Sequence, residues 1–295
     1  MTKILLTGSN GFVGRRLVGD LLQDNYIVIA TARDNNARPF AGEKFSFFIM
    51  DFTNEQQVKD VFDQVNPSVV IHCGAMSKPD ECELNKDAAL RTNLYGTELL
   101  LKYAGAVKSH FIYLSTDFVF DGSKAMHKEE DEPAPVNFYG HTKLLGENAV
   151  RRYTGNWTIV RTVLVYGNPM GGRDNILTLT KKKLEKAELF KVVNDQQRTP
   201  TYIEDLSSGI IAIVRKRATG IFHLCGKDMM TPFDMAFSAA KYLQLDASLL
   251  QKVTAESFKE IAKRPLLSGF SISKAEKELD FMPHSFEEGL KKTFE

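Results

Sequence analysis

Apolar runs and amphipathic stretches alternate through the first half of the chain, at residues 3–8, 12–23, 26–33, 44–51, 55–65, 68–75 and a long stretch over 88–106. Short apolar runs bounded by turn residues predict strands, and longer segments with helical spacing predict helices, which gives a βαβα rhythm. The runs Ser68-Val69-Val70-Ile71 and Phe111-Ile112-Tyr113-Leu114 are apolar at successive positions. Strands need that pattern when helices cover both faces of a parallel sheet. The expected fold class is therefore α/β, a Rossmann-type doubly wound parallel sheet.

After a strand-like run at 157–167 the pattern loosens into a Gly/Pro/Asn-rich turn at 167–175 and a Lys-rich helical stretch at 176–189. Residues 202–216 read as a helix capped near Thr201, 221–225 as a strand, and 232–243 and 286–294 as helices. This predicts a main domain of residues 1–166 and 196–226, with a smaller, discontinuous C-terminal lobe of 167–195 and 227–295.

A hydrophobic fraction of 43% suffices for a buried core, and 38 Lys+Arg against 37 Asp+Glu leave a formal charge of +1. That balance provides no broad field for nucleic acid or an anionic membrane, so the expected partner is a small molecule. Cys73, Cys82 and Cys225 form no C-x-x-C pair. Their odd number argues against a disulfide framework or structural zinc site and for a reducing cytoplasm. The apolar run Ile4-Leu5-Leu6 is too short for a signal peptide, and no later stretch has membrane-spanning length.

Directly after the first strand comes Thr7-Gly8-Ser9-Asn10-Gly11-Phe12-Val13-Gly14, opening the first helix. Glycines there allow a tight turn, close backbone approach to a pyrophosphate and tight helix packing, while the helix N-terminus attracts negative charge. The same spacing also suits an ordinary strand-to-helix turn. An acid about 20 residues further on would bind a ribose 2′-hydroxyl, but this second strand ends Thr31-Ala32-Arg33, with no acid before Asp34. Arg33, helped by Arg15 or Arg16, could pair with a 2′-phosphate, so NADP(H) is expected in preference to NAD(H). The alternative is that these arginines are solvated surface residues.

In Tyr139-Gly140-His141-Thr142-Lys143 the Tyr and Lys stand four residues apart, on one face of a helix. A nearby ammonium is expected to lower the phenol pKa and make Tyr139 a usable proton donor. The segment Leu114-Ser115-Thr116-Asp117-Phe118 ends a strand in hydroxyls and an acid, where ligands bind in an open α/β sheet. Either Thr116 or Ser115 could hydrogen-bond a reacting oxygen, while Asp121-Gly122 reads as a turn.

With these segments in place the chain resembles the extended short-chain dehydrogenase/reductases, in particular the dTDP-4-dehydrorhamnose reductase-like branch. Further matches are His72-Cys73-Gly74-Ala75, Pro79-Asp80-Glu81-Cys82-Glu83, Thr199-Pro200-Thr201, and Arg264-Pro265 followed by Ser268. The resemblance implies hydride delivery to a 4-keto nucleotide sugar, with Thr116, Tyr139 and Lys143 catalytic. It implies Asp51, Phe52, Cys73, Gly74, Ala75, Asn93 and Val165 around the cofactor together with the glycine motif, Tyr139 and Lys143. Ser77, Asp80, Ser115, Asp117, Phe118 and Leu164 would lie near the substrate, and a homodimer is implied. Arg198 and Arg264 would contact substrate phosphates or form surface salt bridges.

Where the rhamnose-forming enzymes tend to place Tyr and Trp, this chain has Phe118 and Leu164, which argues for a different sugar. Segments 129–143 and 197–205 also resemble the methionine adenosyltransferase regulatory β subunit, so a non-catalytic NADP-binding subunit is the alternative, beside an epimerase or dehydratase. His72, His110 and His223 read as core or cap residues, Cys73 as a packing residue, and the Lys181-Lys182-Lys183 run as the wet face of a helix. No carboxylate cluster compels a metal.

Overall fold

The computed structural model describes residues 2–34, 40–258 and 260–295. The chain runs through β1 (Lys3–Thr7), α1 (Phe12–Gln23), β2 (Ile27–Ala32), β3 (Phe45–Ile49), α2 (Glu55–Val65) and β4 (Val69–His72). Next come α3 (Pro79–Leu84), α4 (Lys86–Leu90), α5 (Gly96–Ala106), β5 (His110–Thr116), α6 (Phe138–Arg151), β6 (Trp157–Thr162) and β7 (Val165–Tyr166). The remainder is α7 (Ile176–Glu185), β8 (Phe190–Val193), β9 (Thr201–Tyr202), α8 (Ile203–Lys216), β10 (Gly220–His223), α9 (Pro232–Tyr242), β11 (Leu250–Val253), α10 (Ser273–Leu279) and α11 (Phe286–Phe294).

Among the described residues seven strands form one parallel sheet in the order β10-β6-β5-β4-β1-β2-β3. Helices α1, α8 and α10 bury one face of it through Leu17, Leu21, Leu206, Ile210 and Leu279; α2, α5 and α6 bury the other through Val58, Phe62, Leu100 and Val150. This is the doubly wound α/β sheet that the alternation predicted. Strand order reverses between β1 and β4, and in such sheets the crevice beyond the carboxyl ends at that point is the ligand site.

Three elements differ from expectation. The stretch over 88–106 is not one helix: a π-helical turn at Arg91–Tyr95 separates α4 from α5. The buried Asn93 side chain holds the Met76 backbone there, and a Cβ on Gly96 would stand 2.6 Å from the Phe52 ring. The run at 157–167 splits because Leu164 takes a left-handed φ of 34°, a strained value for a branched residue. β7 therefore leaves the main sheet and pairs with β9. Thr201 does not cap α8, whose N-cap is Tyr202 without a side-chain bond; its hydroxyl instead donates to Val163 O (2.6 Å) at the Leu164 kink.

In the C-terminal part, β8 pairs with β11, while Leu184, Val192, Phe233 and Ala236 share one small core. Asn175 and Thr231 each close a capping box that sets where α7 and α9 begin. Ala275, Leu279 and Phe281 return the chain to the core of the main sheet. Among the described residues no helix is long and apolar enough to cross a membrane.

Candidate active site

The crevice is a cavity of about 930 Å³ at the carboxyl ends of β1, β2, β4, β5 and β6. Its floor is the glycine turn. Gly8 has φ +72°, and a Cβ on it would lie 2.8 Å from Gly74 N; a Cβ on Gly14 would lie 2.3 Å from Gly8 O. Only glycine leaves β1, α1 and the end of β4 this close. The α1 N-cap, Gly11, makes no side-chain bond, and the first turn carries no acid. The leading amides are thus free of side-chain caps at the positive end of the helix dipole, the arrangement that receives a phosphate. Asn10, Phe12 and Val13 line the same floor, while Ser9 is buried with its hydroxyl on Thr31 O (3.1 Å).

Arg33, Asp51, Phe52, Ala88, Arg91 and Thr92 also line the cavity. Arg15 and Arg16, expected to assist Arg33, are turned into protein contacts. Arg15 donates to Met170 O (2.7 Å), and Arg16 pairs with Asp20 (2.8 Å) and Glu204 (2.6 Å). Arg33 is exposed and, among the described residues, forms no ion pair.

At the centre stand Cys73, Gly74, Ala75, Ser77, Ser115, Thr116, Asp117, Phe118, Tyr139, Lys143, Leu164 and Val165. Asn137 starts α6 by accepting from Gly140 N (2.8 Å), so that Tyr139, Lys143 and Glu147 follow one another along one helix face. Burial raises the Tyr139 phenol above its ordinary value; the neighbouring Thr116 hydroxyl opposes this, and Asp117 and Cys82 reinforce it. Burial pulls Lys143 down to about 7 against the attraction of Glu147, Cys73 and Cys82. The expectation that Lys143 would lower the phenol pKa therefore fails: the ammonium sits 3.9 Å over the Tyr113 ring, and desolvation governs the phenol. Burial also pushes Cys73 up to about 12, which leaves an inert thiol.

Several expected site residues act from behind this wall. Asn93 donates to Met76 O (3.0 Å) and Thr142 Oγ1 (2.9 Å) and accepts from Met76 N (2.8 Å). Arg198, expected at substrate phosphates or on the surface, is 3% exposed. It donates to Ser268, Gln196 and Pro265 O and lies 3.9 Å from Asp117. Ser268 in turn donates to Asp117 (2.5 Å). Asp80 faces Arg264 (3.3 Å) and Ala262 N (3.0 Å); Arg264 lines the cavity while also pairing with Glu260 (2.8 Å). His72, His110 and His223 are buried in the core, and Asp121 accepts from Ser123 N as a turn residue.

Sequence reasoning missed Arg91, Thr92, Arg173 and Asn175, which also line the cavity. Nothing in their local pattern distinguishes them from surface residues. It missed Glu147 too, although the Tyr139-x-x-x-Lys143-x-x-x-Glu147 spacing placed that acid on the functional face.

A doubly wound sheet with a glycine-turn crevice and a Tyr/Lys pair at its centre defines a Rossmann-type protein of the extended short-chain dehydrogenase/reductase class. The family model of the RmlD substrate binding domain matches residues 1–295, and the chain belongs to that family. It is 30% identical over 281 residues to methionine adenosyltransferase 2 subunit beta of Danio rerio, covering 93% of this chain and 84% of the relative. It is also 30% identical over 292 residues to the spore coat polysaccharide biosynthesis protein SpsK of Bacillus subtilis (strain 168), covering 99% and 96%. Among solved structures, dTDP-4-dehydrorhamnose reductase of Bacillus anthracis in complex with NADP superposes with a TM-score of 0.89 at 28% identity, covering 100% of this chain and 99% of that one.

Proposed function

We propose that this chain is an NADPH-dependent reductase of a nucleotide-activated 4-keto-6-deoxy sugar. The observation that carries this reading is the convergence of Thr116, Tyr139 and Lys143 on a cavity floored by an uncapped helix N-terminus and the Gly8–Gly14 turn. The residues fit a dinucleotide: the α1 amides suit its pyrophosphate and Asp51 and Phe52 its adenosine. Arg33, exposed and with no ion-pair partner among the described residues, suits a 2′-phosphate.

A reduced nicotinamide bound there supplies a hydride. Tyr139 keeps its proton on Oη at neutral pH because burial raises it, which is the form that protonates a carbonyl oxygen during reduction. Thr116 Oγ1 orients that oxygen, and Lys143 Nζ holds the ribose. Phe118 and Leu164 make the sugar end more apolar than Tyr and Trp would. The substrate on this reading is a sugar other than dTDP-4-dehydrorhamnose. Residues 1–166 and 196–226 hold the dinucleotide, and 167–195 with 227–295 hold the sugar nucleotide, α10 excepted.

The 30% identity to a methionine adenosyltransferase subunit favours a second reading, in which the loaded cleft serves an assembly. Loss of NADPH absorbance with dTDP-, CDP- and GDP-4-keto-6-deoxy sugars, compared between the native chain and Tyr139→Phe, separates the two. Turnover that disappears in the variant while NADPH still binds supports the reductase. Tight NADPH binding with no turnover on any sugar supports the subunit.

A further inference from the structure

Behind the cleft lies a string of buried polar groups that the proposed chemistry does not itself use. Glu147, on α6, is fully buried. Ser115, next to Thr116 at the end of β5, donates to its Oε1 at 2.6 Å. Arg161 on β6 grips it with two bonds, Nε to Oε1 at 2.9 Å and Nη2 to Oε2 at 2.7 Å. Arg161 is itself fully buried, its guanidinium 5.1 Å over the Phe120 ring, with Nη1 3.5 Å from His223 Nε2. His223 passes the chain on to His127 O at 3.1 Å.

A buried ion pair of this kind is weak support for stability, because taking both charges out of water costs about as much as their attraction returns. What it does provide is a charge that cannot move. Glu147 lies one helical turn beyond Lys143, as Lys143 lies one turn beyond Tyr139. The groups around Lys143 on the other packed elements are His72 and Cys73 at the end of β4, Cys82 on α3 and Tyr113 on β5, with Asp117 across from Tyr139. The two thiols and the Tyr113 phenol are raised by burial and stay protonated, and burial holds His72 neutral. Among the described residues, Glu147 is the group whose attraction most favours the Lys143 ammonium, ahead of the two thiols.

We propose that Glu147 is a positioning residue: clamped between Ser115 and Arg161, its carboxylate supplies the fixed counter-charge for the Lys143 ammonium and pins the strand end that carries Thr116. This rests on the reading of Thr116, Tyr139 and Lys143 as the reacting set.

The test follows Lys143 Nζ directly, by NMR of isotope-labelled lysine in the full chain without added cofactor, with the signal assigned by its loss in Lys143→Met. Removing the carboxylate charge disfavours the ammonium, so Glu147→Gln is expected to lower the Lys143 titration midpoint by about one pH unit, a tenfold loss of the charged form at a fixed pH. Glu147→Asp should restore most of it. Glu147→Gln leaves Arg161 buried and unpaired, so the Glu147→Leu/Arg161→Met double variant, which replaces the pair by apolar groups of similar size, guards against misfolding; because it removes a cation along with the nearer anion, its midpoint should fall in the same direction but by less. A midpoint that stays in place in the folded variants overturns the proposal. A midpoint that moves as expected in a chain that fails to bind NADPH sinks the cofactor reading and leaves the electrostatic role of Glu147 standing.

Discussion

Arg33 and Gly14 show how single positions decide what the cleft can hold. Arg33 projects from the end of β2 into the cavity, where a bidentate guanidinium contact is worth more than a lysine's point charge. Arg33→Ala should therefore weaken NADPH binding about tenfold, a change of about 1.4 kcal/mol, while leaving NADH affinity nearly unchanged. Fluorescence titration of both nucleotides decides it, and an equal loss for both would remove Arg33 from the 2′-phosphate site. Gly14→Ala is expected to abolish binding of either nucleotide, since its Cβ would collide with Gly8 O at 2.3 Å; retained affinity would mean that the turn is not the phosphate floor. The glycine turn was legible in the sequence, because a strand, three glycines and a helix in succession mark a close backbone approach. The roles of Arg15, Arg16 and Arg198 were not legible, because residue type says nothing of direction. Each guanidinium reaches far enough to find a carbonyl or carboxylate on a distant segment, as Arg15 does at Met170.

At the scale of elements, the join between the π-helical turn and α6 is where fold and site meet. The Asn93 amide ties Met76, next to the cleft-lining Ala75 and Ser77, to Thr142 beside Lys143, so a wider turn at 91–95 is stabilised by three side-chain bonds in the interior. Asn93→Ala leaves the half-buried Met76 amide without its partner and its carbonyl with only the weak Cys82 thiol donor, which costs about 1–3 kcal/mol. The denaturant midpoint should fall accordingly, and NADPH affinity should fall with it as Tyr139 and Lys143 lose their register. A variant of unchanged stability would mean that water replaces the amide. The alternation of apolar runs revealed the βαβ units because each strand is covered on both faces. It could not reveal the breaks at 91–95 and Leu164. Both arise from contacts made only after folding: Asn93 on the Met76 loop and Thr201 on Val163. A left-handed leucine has no local signature, so the strand at 157–167 read as continuous.

Across the whole molecule, three histidines are held neutral inside the sheet, and they make the fold sensitive to acid. Burial lowers His72 to about 3, His110 to about 4 and His223 to about 3. Their partners are hydroxyls, carbonyls and a guanidinium; the His127 and Ser271 backbone favours protonation of His223, but burial outweighs it. In the unfolded chain each titrates near 6.5. Above that value neither state of these histidines is protonated and they cost the native fold nothing. As pH falls below it, only the unfolded chain gains protons, so stability is lost progressively down to the folded-state values. At pH 5 the loss is about 2 kcal/mol for each histidine, a large share of a typical net stability of about 5–15 kcal/mol. The buried Asp117 and Asp205, both raised by desolvation, act in the opposite direction and favour the native chain as they take up protons. Their influence begins at the raised folded-state values, above the ordinary carboxylate range, and is complete near 4, so it offsets part of the histidine loss at the acid end of this window. The melting temperature should therefore fall steeply between pH 6.5 and 5. His110 isolates the cause, since it stands at the start of β5, the end of the sheet away from the cleft, and its ring meets the Thr158 hydroxyl. His110→Gln keeps a donor for that hydroxyl and removes the titration, so the variant should recover about 2 kcal/mol at pH 5 relative to the native chain's own loss from pH 7. If the two proteins lose stability in parallel, the acid sensitivity comes from other groups and His110 is not protonated on unfolding in that range.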